Sequence, residues 1–385
     1  VTTHRSSSRG TTVVTLARSL VAAFALLATA CSAADSSPID ASSSPEPALE
    51  AINYMTIPAP SLEGNLVGDA AERGFWVYLP PQYFESDEPM RTMYFLPNYG
   101  DHIIHNTNAV EAFDPAFAYL DPMIVVIIDG SNRFGGSFWM DSPVTGHWGT
   151  FIARDVVDYV DAHFRTIDAP QARGIAGHAM GGFGALDIAV RRPDVFGVAF
   201  AFAPWIARSV SPENIFSTPE QRVETVVSTI ESVEGLPAAD ALVIIGRLHQ
   251  EIHSTREAID AAYGMAFAPI TEPPFFDYPY SRVDGNLVLD DAAWERWTPM
   301  VGGTLDDPDD IAAHWEALTR VGIDCGSNGE YEWIPNGCAY LDSILTEAGV
   351  DHDYWPDTGG RGVDDIPSHS VDVMLPFFDE YLSTH

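Results

Sequence analysis

The chain reads as an α/β protein built on a doubly wound, mostly parallel sheet, and two observations carry that expectation. Met93-Tyr94-Phe95-Leu96 and Met123-Ile124-Val125-Val126-Ile127-Ile128 are short, unbroken apolar runs, the pattern of parallel strands covered on both faces. After them, apolar residues recur at helical spacing at Phe151, Ile152, Val156, Tyr159, Val160 and Phe164. Strands alternating with helices give a doubly wound sheet rather than a sandwich.

The elements follow in order. Residues 1–30 carry the marks of an export signal. Arg5, Arg9 and Arg18 precede the apolar run Leu20-Val21-Ala22-Ala23-Phe24-Ala25-Leu26-Leu27, and Ala28-Thr29-Ala30 leads into Cys31. Ala-x-Ala before a cysteine resembles a bacterial lipoprotein signal, in which Cys31 becomes lipidated. Leu27 lies one position too early for the usual pattern, and an ordinary signal peptidase would cut the same bond. Val1 reads as a GTG start translated literally. Residues 31–50, rich in Ser, Ala, Pro and acids, read as a flexible tether.

The folded domain is expected over 51–385. Gly74-Phe75-Trp76-Val77-Tyr78 alternates bulky residues as an early strand does. Val195 to Ala201 is a further buried run. From about 205 to 315 the pattern loosens into helical stretches and Pro-rich segments, which reads as a lid insertion. Regular structure resumes with a strand at Val321-Gly322-Ile323-Asp324-Cys325 and a helix from Pro335 to Ala348. A strand near His352–Trp355 and an amphipathic helix from Pro367 to Leu382 close the chain.

Composition bounds the function. A hydrophobic content of 46% over 385 residues allows a sizeable core. The formal charge of −36 is carried with no lysine at all, every basic residue being arginine. Such a field repels polynucleotide phosphates and anionic headgroups, so no nucleic acid is expected as a partner, and a membrane only through a lipid anchor. With Cys31 assigned to that anchor, Cys325 and Cys338 are left either as a disulfide or as two buried thiols.

The most informative stretch is Gly177-His178-Ala179-Met180-Gly181-Gly182-Phe183-Gly184, which ends a short apolar run and opens a helix. This is the strand–turn–helix form of a nucleophile elbow, G-x-S-x-G, with alanine at the middle position. Further segments accompany it: Asp129-Gly130-Ser131-Asn132-Arg133-Phe134-Gly135-Gly136-Ser137-Phe138, Asp141-Ser142-Pro143-Val144-Thr145-Gly146-His147-Trp148, and Ile323-Asp324-Cys325-Gly326. Together they resemble the esterase family of α/β-hydrolases that includes esterase D, the mycolyltransferase antigens and feruloyl esterases, over roughly residues 74 to 382.

The resemblance implies the α/β-hydrolase fold and a Ser–acid–His triad. A hydroxyl attacks the ester carbonyl, a histidine takes its proton, an acid orients the histidine, and two backbone N–H groups hold the oxyanion. Set on that pattern, Ala179 stands at the nucleophile position. The acid follows the strand end in a form like D-C-G-x-x-D-E, where this chain has Gly329 followed by Glu330. The histidine belongs to a Gly-Gly-His turn before a Leu-Pro-Phe, and here Gly359-Gly360-Arg361 precedes Leu375-Pro376-Phe377. Arginine stays protonated and is no base. Where His-Gly opens the oxyanion loop in the family, this chain has Pro97-Asn98-Tyr99-Gly100.

Two readings follow. In the first, the protein is non-hydrolytic. The N–H of Met180, the loop at Asn98 and Tyr99, and the Arg361 guanidinium then hold a small-molecule ester or carboxylate, unless Arg361 points outward to Asp357, Asp364 or Asp365. An accessory role beside an active paralogue belongs to the same reading. In the second, this is a secreted carboxylesterase or acyl hydrolase. Either Ala179 replaces the serine by design, or His369 supplies the chemistry with Glu330 or Asp353 as its orienter. No cofactor is expected. Asp101, His102, His105 and His147 offer imidazole and oxygen donors near the site mouth but form no complete metal signature.

Overall fold

Eight strands form one sheet in the order β1-β2-β4-β3-β7-β8-β11-β12. They are β1 (Ile52–Pro58), β2 (Glu72–Tyr78), β3 (Thr92–Leu96), β4 (Ile124–Ile128), β7 (Arg173–His178), β8 (Val198–Phe202), β11 (Arg320–Asp324) and β12 (His352–Trp355). Two short hairpins stand apart from it, β5 (Asp141–Ser142) with β6 (Gly146–His147), and β9 (Tyr280–Val283) with β10 (Asn286–Leu289). The computed structural model describes residues 49–100, 113–208, 210–212, 219–250, 256–302, 308–326, 331, 333–356 and 366–384.

The pairs β1–β2 and β2–β4 are antiparallel, and every pair from β4 to β12 is parallel. The unbroken apolar runs have the physical cause expected of them. Tyr94, Leu96, Val126 and Ile128 turn to one face of the sheet and join the larger core with Phe183 and Leu186. Met93, Phe95, Val125 and Ile127 turn to the other and pack with Phe200, Phe377 and Phe378. Each large side chain so covered contributes about 1.5–3 kcal/mol, so neither face tolerates a polar alternation.

The expected strands agree with the structure to within a few residues. The two long amphipathic helices differ from a uniform α-helix. Trp148–Thr150 and Val157–His163 are α-helical, but Phe151–Val156 between them is a wide π turn. Ile152, Val156, Val160 and Phe164 are spaced by four residues, more than the 3.6 of an α-helix, and a wide turn keeps all of them on the buried face. The final helix is interrupted in the same way, with Ile366–His369 and Leu375–Tyr381 flanking a π segment at Ser370–Met374.

Between β8 and β11 the loosened pattern resolves into helices Pro219–Val233, Ala238–Gln250 and Arg256–Phe267, packed on one another, followed by the β9–β10 hairpin and helices Asp291–Arg296 and Pro308–Trp315. The three-helix layer is pinned by a buried ion pair. Arg222 donates from Nε to Asp260 Oδ2 at 2.9 Å, and Tyr278 donates its hydroxyl to the same oxygen at 3.0 Å. No helix among the described residues is long and apolar enough to cross a membrane. Cys31 and the tether up to residue 48 lie outside the described residues.

Candidate functional site

The C-terminal ends of β7, β8 and β11 lie side by side, with His178 opposite Phe202 and Phe202 opposite Asp324. Ala179 follows β7 at φ 49° and ψ −105°, and helix Met180–Arg191 starts at once behind it. Positive φ at a residue with a Cβ costs on the order of 1–3 kcal/mol and persists only where the surroundings fix it. They do so here. The Ala179 N–H donates to the Phe202 carbonyl at 2.9 Å, and the Ala179 carbonyl accepts from Phe183 N–H at 3.0 Å and Trp205 N–H at 3.3 Å.

The glycines around it are demanded by close backbone approach. A Cβ on Gly177 would lie 2.2 Å from the Gly181 carbonyl oxygen, and one on Gly181 would lie 1.9 Å from that of Leu96. The turn that presents residue 179 is therefore kept in full, strain included, around a methyl group.

Two backbone donors converge next to it. Tyr99 N–H and Met180 N–H both point at the Oδ1 of Asn98, at 2.7 Å and 3.4 Å. Two N–H groups on one oxygen form the arrangement that stabilises an oxyanion in acyl transfer. The expectation of an open Met180 N–H is corrected by this contact: Asn98, the residue after Pro97, reaches it first. Tyr99 is anchored by its hydroxyl, which donates to the Phe134 carbonyl at 2.7 Å and lies 3.4 Å from His249 Nδ1 on helix Ala238–Gln250. Burial, helped by the charge of Asp260, pushes the Tyr99 phenol well above its ordinary value, so it stays a neutral donor.

The walls are apolar. A Cβ on Gly136 would fall 2.5 Å from Met180 Sδ and 2.9 Å from the Tyr99 ring, so the Asp129–Phe138 stretch closes on the elbow. Trp205, bonded through its N–H to Ala179, meets Phe138, Tyr331 and Trp333 at ring separations of 5.8, 5.4 and 4.8 Å. A separate cleft of about 330 Å³, lined by Trp139, Thr150, Asp187 and Arg191 among others, opens at the far end of the elbow helix and takes no part in this site.

His369 sits at the start of the final helix, and its Nδ1 lies 3.4 Å from Asp324 Oδ2, a carboxylate that is fully buried. Of the two proposed orienters, Asp353 is corrected: it is engaged by Arg320 through two hydrogen bonds of 2.9 and 2.8 Å. Glu330 lies outside the described residues. In the sequence Asp324 shows only as part of a strand-end motif. Nothing local signals its pairing, because it depends on the last helix crossing the β11 end from 45 residues away. Gly329 and Arg361, with Asp357, Asp364 and Asp365, lie outside the described residues too.

Cys325 and Cys338 form a disulfide that ties the β11 end to helix Ile334–Glu347 and so closes the loop carrying positions 329 and 330. Closing a loop of that length contributes about 3 kcal/mol. The other route to chemistry, a metal, finds no group of three or more His, Cys, Asp or Glu able to hold one among the described residues. Asp101, His102 and His105 are outside them, and His147 is an exposed residue of β6.

Comparisons with known proteins bear on the family and the fold. A family model described as Putative esterase matches residues 70–302. An esterase of Mycobacterium tuberculosis is 36% identical over 75 residues, which is 18% of this chain and only 16% of that protein. Among solved structures, a ferulic acid esterase superposes with a TM-score of 0.53 at 16% identity, covering 86% of this chain and 98% of its own. The fluorophosphonate-binding serine hydrolase F of Staphylococcus aureus, solved with substrate bound, gives 0.52 at 13% identity, with 86% and 98% covered. At those identities the structural likeness carries the fold, α/β-hydrolase, and no more.

Proposed function

From the premise that this chain belongs to the Putative esterase family of α/β-hydrolases, we propose that it is a non-hydrolytic member which binds a small ester or carboxylate at the elbow without cleaving it. The observation that carries the reading is Ala179 itself, held at φ 49° on an otherwise complete elbow. A methyl group has no electron pair to give an acyl carbon. Loss of the serine or the histidine of such a triad lowers turnover by about 10⁶ from a typical ~10 per second, leaving roughly one event per day. Yet the strained turn still presents a helix N-terminus with the Met180 N–H, and the loop at Tyr99 brings a second N–H to the same oxygen, beside an aromatic wall. That retained architecture suits a ligand with a carbonyl or carboxylate head and an apolar body. The large negative charge opposes an anion at long range, but salt screens it beyond about 8 Å, and Arg361 is the local cation in this reading.

Two supports outside the site complete the proposal. The N-terminal pattern ending at Cys31 and the Cys325–Cys338 disulfide both suit export, with Cys31 as a lipid anchor to the cell envelope. An accessory role beside an active esterase is compatible with the same chemistry.

The test is saturation-transfer NMR of ethyl butyrate and butyrate with the purified protein. We expect saturation transfer to one or both ligands and an intact ester after a day. Hydrolysis faster than buffer, or no transfer to either ligand, would overturn the reading.

A further inference from the structure

We propose that the Asn98 side chain is a built-in occupant of the oxyanion hole, which an incoming carbonyl or carboxylate must displace. The inference rests on the reading above for its ligand class, but its structural half stands alone. The loop bearing Asn98 is fixed at several points: Trp139 Nε1–H donates to the Pro97 carbonyl at 3.4 Å, Gly100 N–H to the Gly135 carbonyl at 2.9 Å, and Tyr99 hydroxyl to the Phe134 carbonyl at 2.7 Å. On that frame the Asn98 carboxamide accepts from Tyr99 N–H at 2.7 Å and reaches the Met180 N–H at 3.4 Å. Its Oδ1 is an sp² carbonyl oxygen, the same atom type as the one an ester or carboxylate would place there. Asn98 is half-buried, so the hole is capped from within but open to exchange.

The two contacts are unequal. The short one, to the adjacent residue, holds the carboxamide in place, and the long one is the weaker half. A ligand oxygen therefore competes first for Met180 N–H. It gains only the difference between its own contact and that of Asn98, which sets a threshold that a neutral ester passes less easily than a charged carboxylate. Asn98 thus makes the pocket selective for carboxylates over esters.

The experiment is a butyrate titration, followed by ¹H–¹⁵N NMR, of the unaltered protein, Asn98→Ala and Asn98→Asp. In Asn98→Ala the amide resonances of Tyr99 and Met180 are expected to move, and butyrate to bind about tenfold more tightly. In Asn98→Asp the new carboxyl accepts from the same two N–H groups. It is therefore expected to titrate below the ordinary ~3.9 and to exclude butyrate at neutral pH. Unmoved Tyr99 and Met180 amides in Asn98→Ala, or an ordinary titration in Asn98→Asp, would overturn the occupancy. Equal butyrate affinity in the unaltered protein and Asn98→Ala would overturn the competition. If no variant binds butyrate while the amides move and the carboxyl titrates low, the occupant stands and the ligand-binding reading of the site fails.

Discussion

Restoring the hydroxyl alone, in Ala179→Ser, is expected to leave ester turnover at the level of the unaltered chain. Joining Ala179→Ser with Gly329→Asp and Arg361→His is expected to raise it by about 10³-fold or more. The members of a Ser–His–acid triad act as one unit. Losing the serine or the histidine alone costs nearly as much as losing all three, about 10⁶. If the histidine position holds no base, a serine restored alone therefore recovers almost none of that factor, since nothing accepts its proton. Position 179 already carries the strained backbone that a nucleophile needs, so the substitution does not disturb the turn. The full 10⁶ is not expected from the triple variant because Asn98 still sits on the oxyanion donors, and one lost donor costs about 10²–10³. The check is the steady-state rate on p-nitrophenyl butyrate for each variant. Turnover near one per second from Ala179→Ser by itself would mean that a base is already in reach, and the His369–Asp324 pair is the one to suspect.

The second large effect concerns the helical layer over the sheet. Arg222→Ala is expected to lower stability by about 3–5 kcal/mol, because it leaves the Asp260 carboxylate buried with Tyr278 as a hydrogen-bond donor but without its cation. Burial already raises the Asp260 carboxyl above the ordinary carboxylate range, and Arg222 is the main group opposing that rise. Removing Arg222 raises it further. A raised carboxyl favours the folded state while it is protonated, and that contribution fades as pH climbs above the unfolded value of ~3.9. The loss in Arg222→Ala is thus expected to be smaller at pH 4 than at pH 7. Replacing both partners, in Arg222→Met with Asp260→Leu, is expected to cost far less than the single change. Urea unfolding at the two pH values measures all of this. A single-variant loss under 1 kcal/mol at pH 7 would show that the pair does not hold the layer.

The parts of this protein that were legible in its sequence are those where geometry admits few residue types. The elbow could be read because Gly177 and Gly181 face carbonyl oxygens at distances that exclude any side chain. The parallel strands could be read because both faces of the sheet are covered, leaving no room for polar residues. Three features could not. Asn98 after Pro97 looks like an ordinary turn residue, and only the loop's ties to Phe134, Gly135 and Trp139 turn its carboxamide onto Met180. The His369–Asp324 contact joins a helix to a strand end through packing that no local pattern encodes. The cysteine spacing was compatible with both a disulfide and free thiols until the β11 end and helix Ile334–Glu347 were seen to bring the two sulfurs together. In the segment from 205 to 315, polar capping and long-range ion pairs such as Arg222–Asp260 organise the helices, so periodicity alone gave their presence and not their arrangement.

One measurement bears most directly on the proposed absence of a nucleophile. The purified, unaltered protein is incubated with excess fluorophosphonate, which phosphonylates an activated side chain in a hydrolase site, and its intact mass is recorded. The account predicts an unchanged mass, with a working serine hydrolase of the same family labelled to completion alongside it. A stoichiometric adduct that maps to any residue beside Ala179 would contradict it.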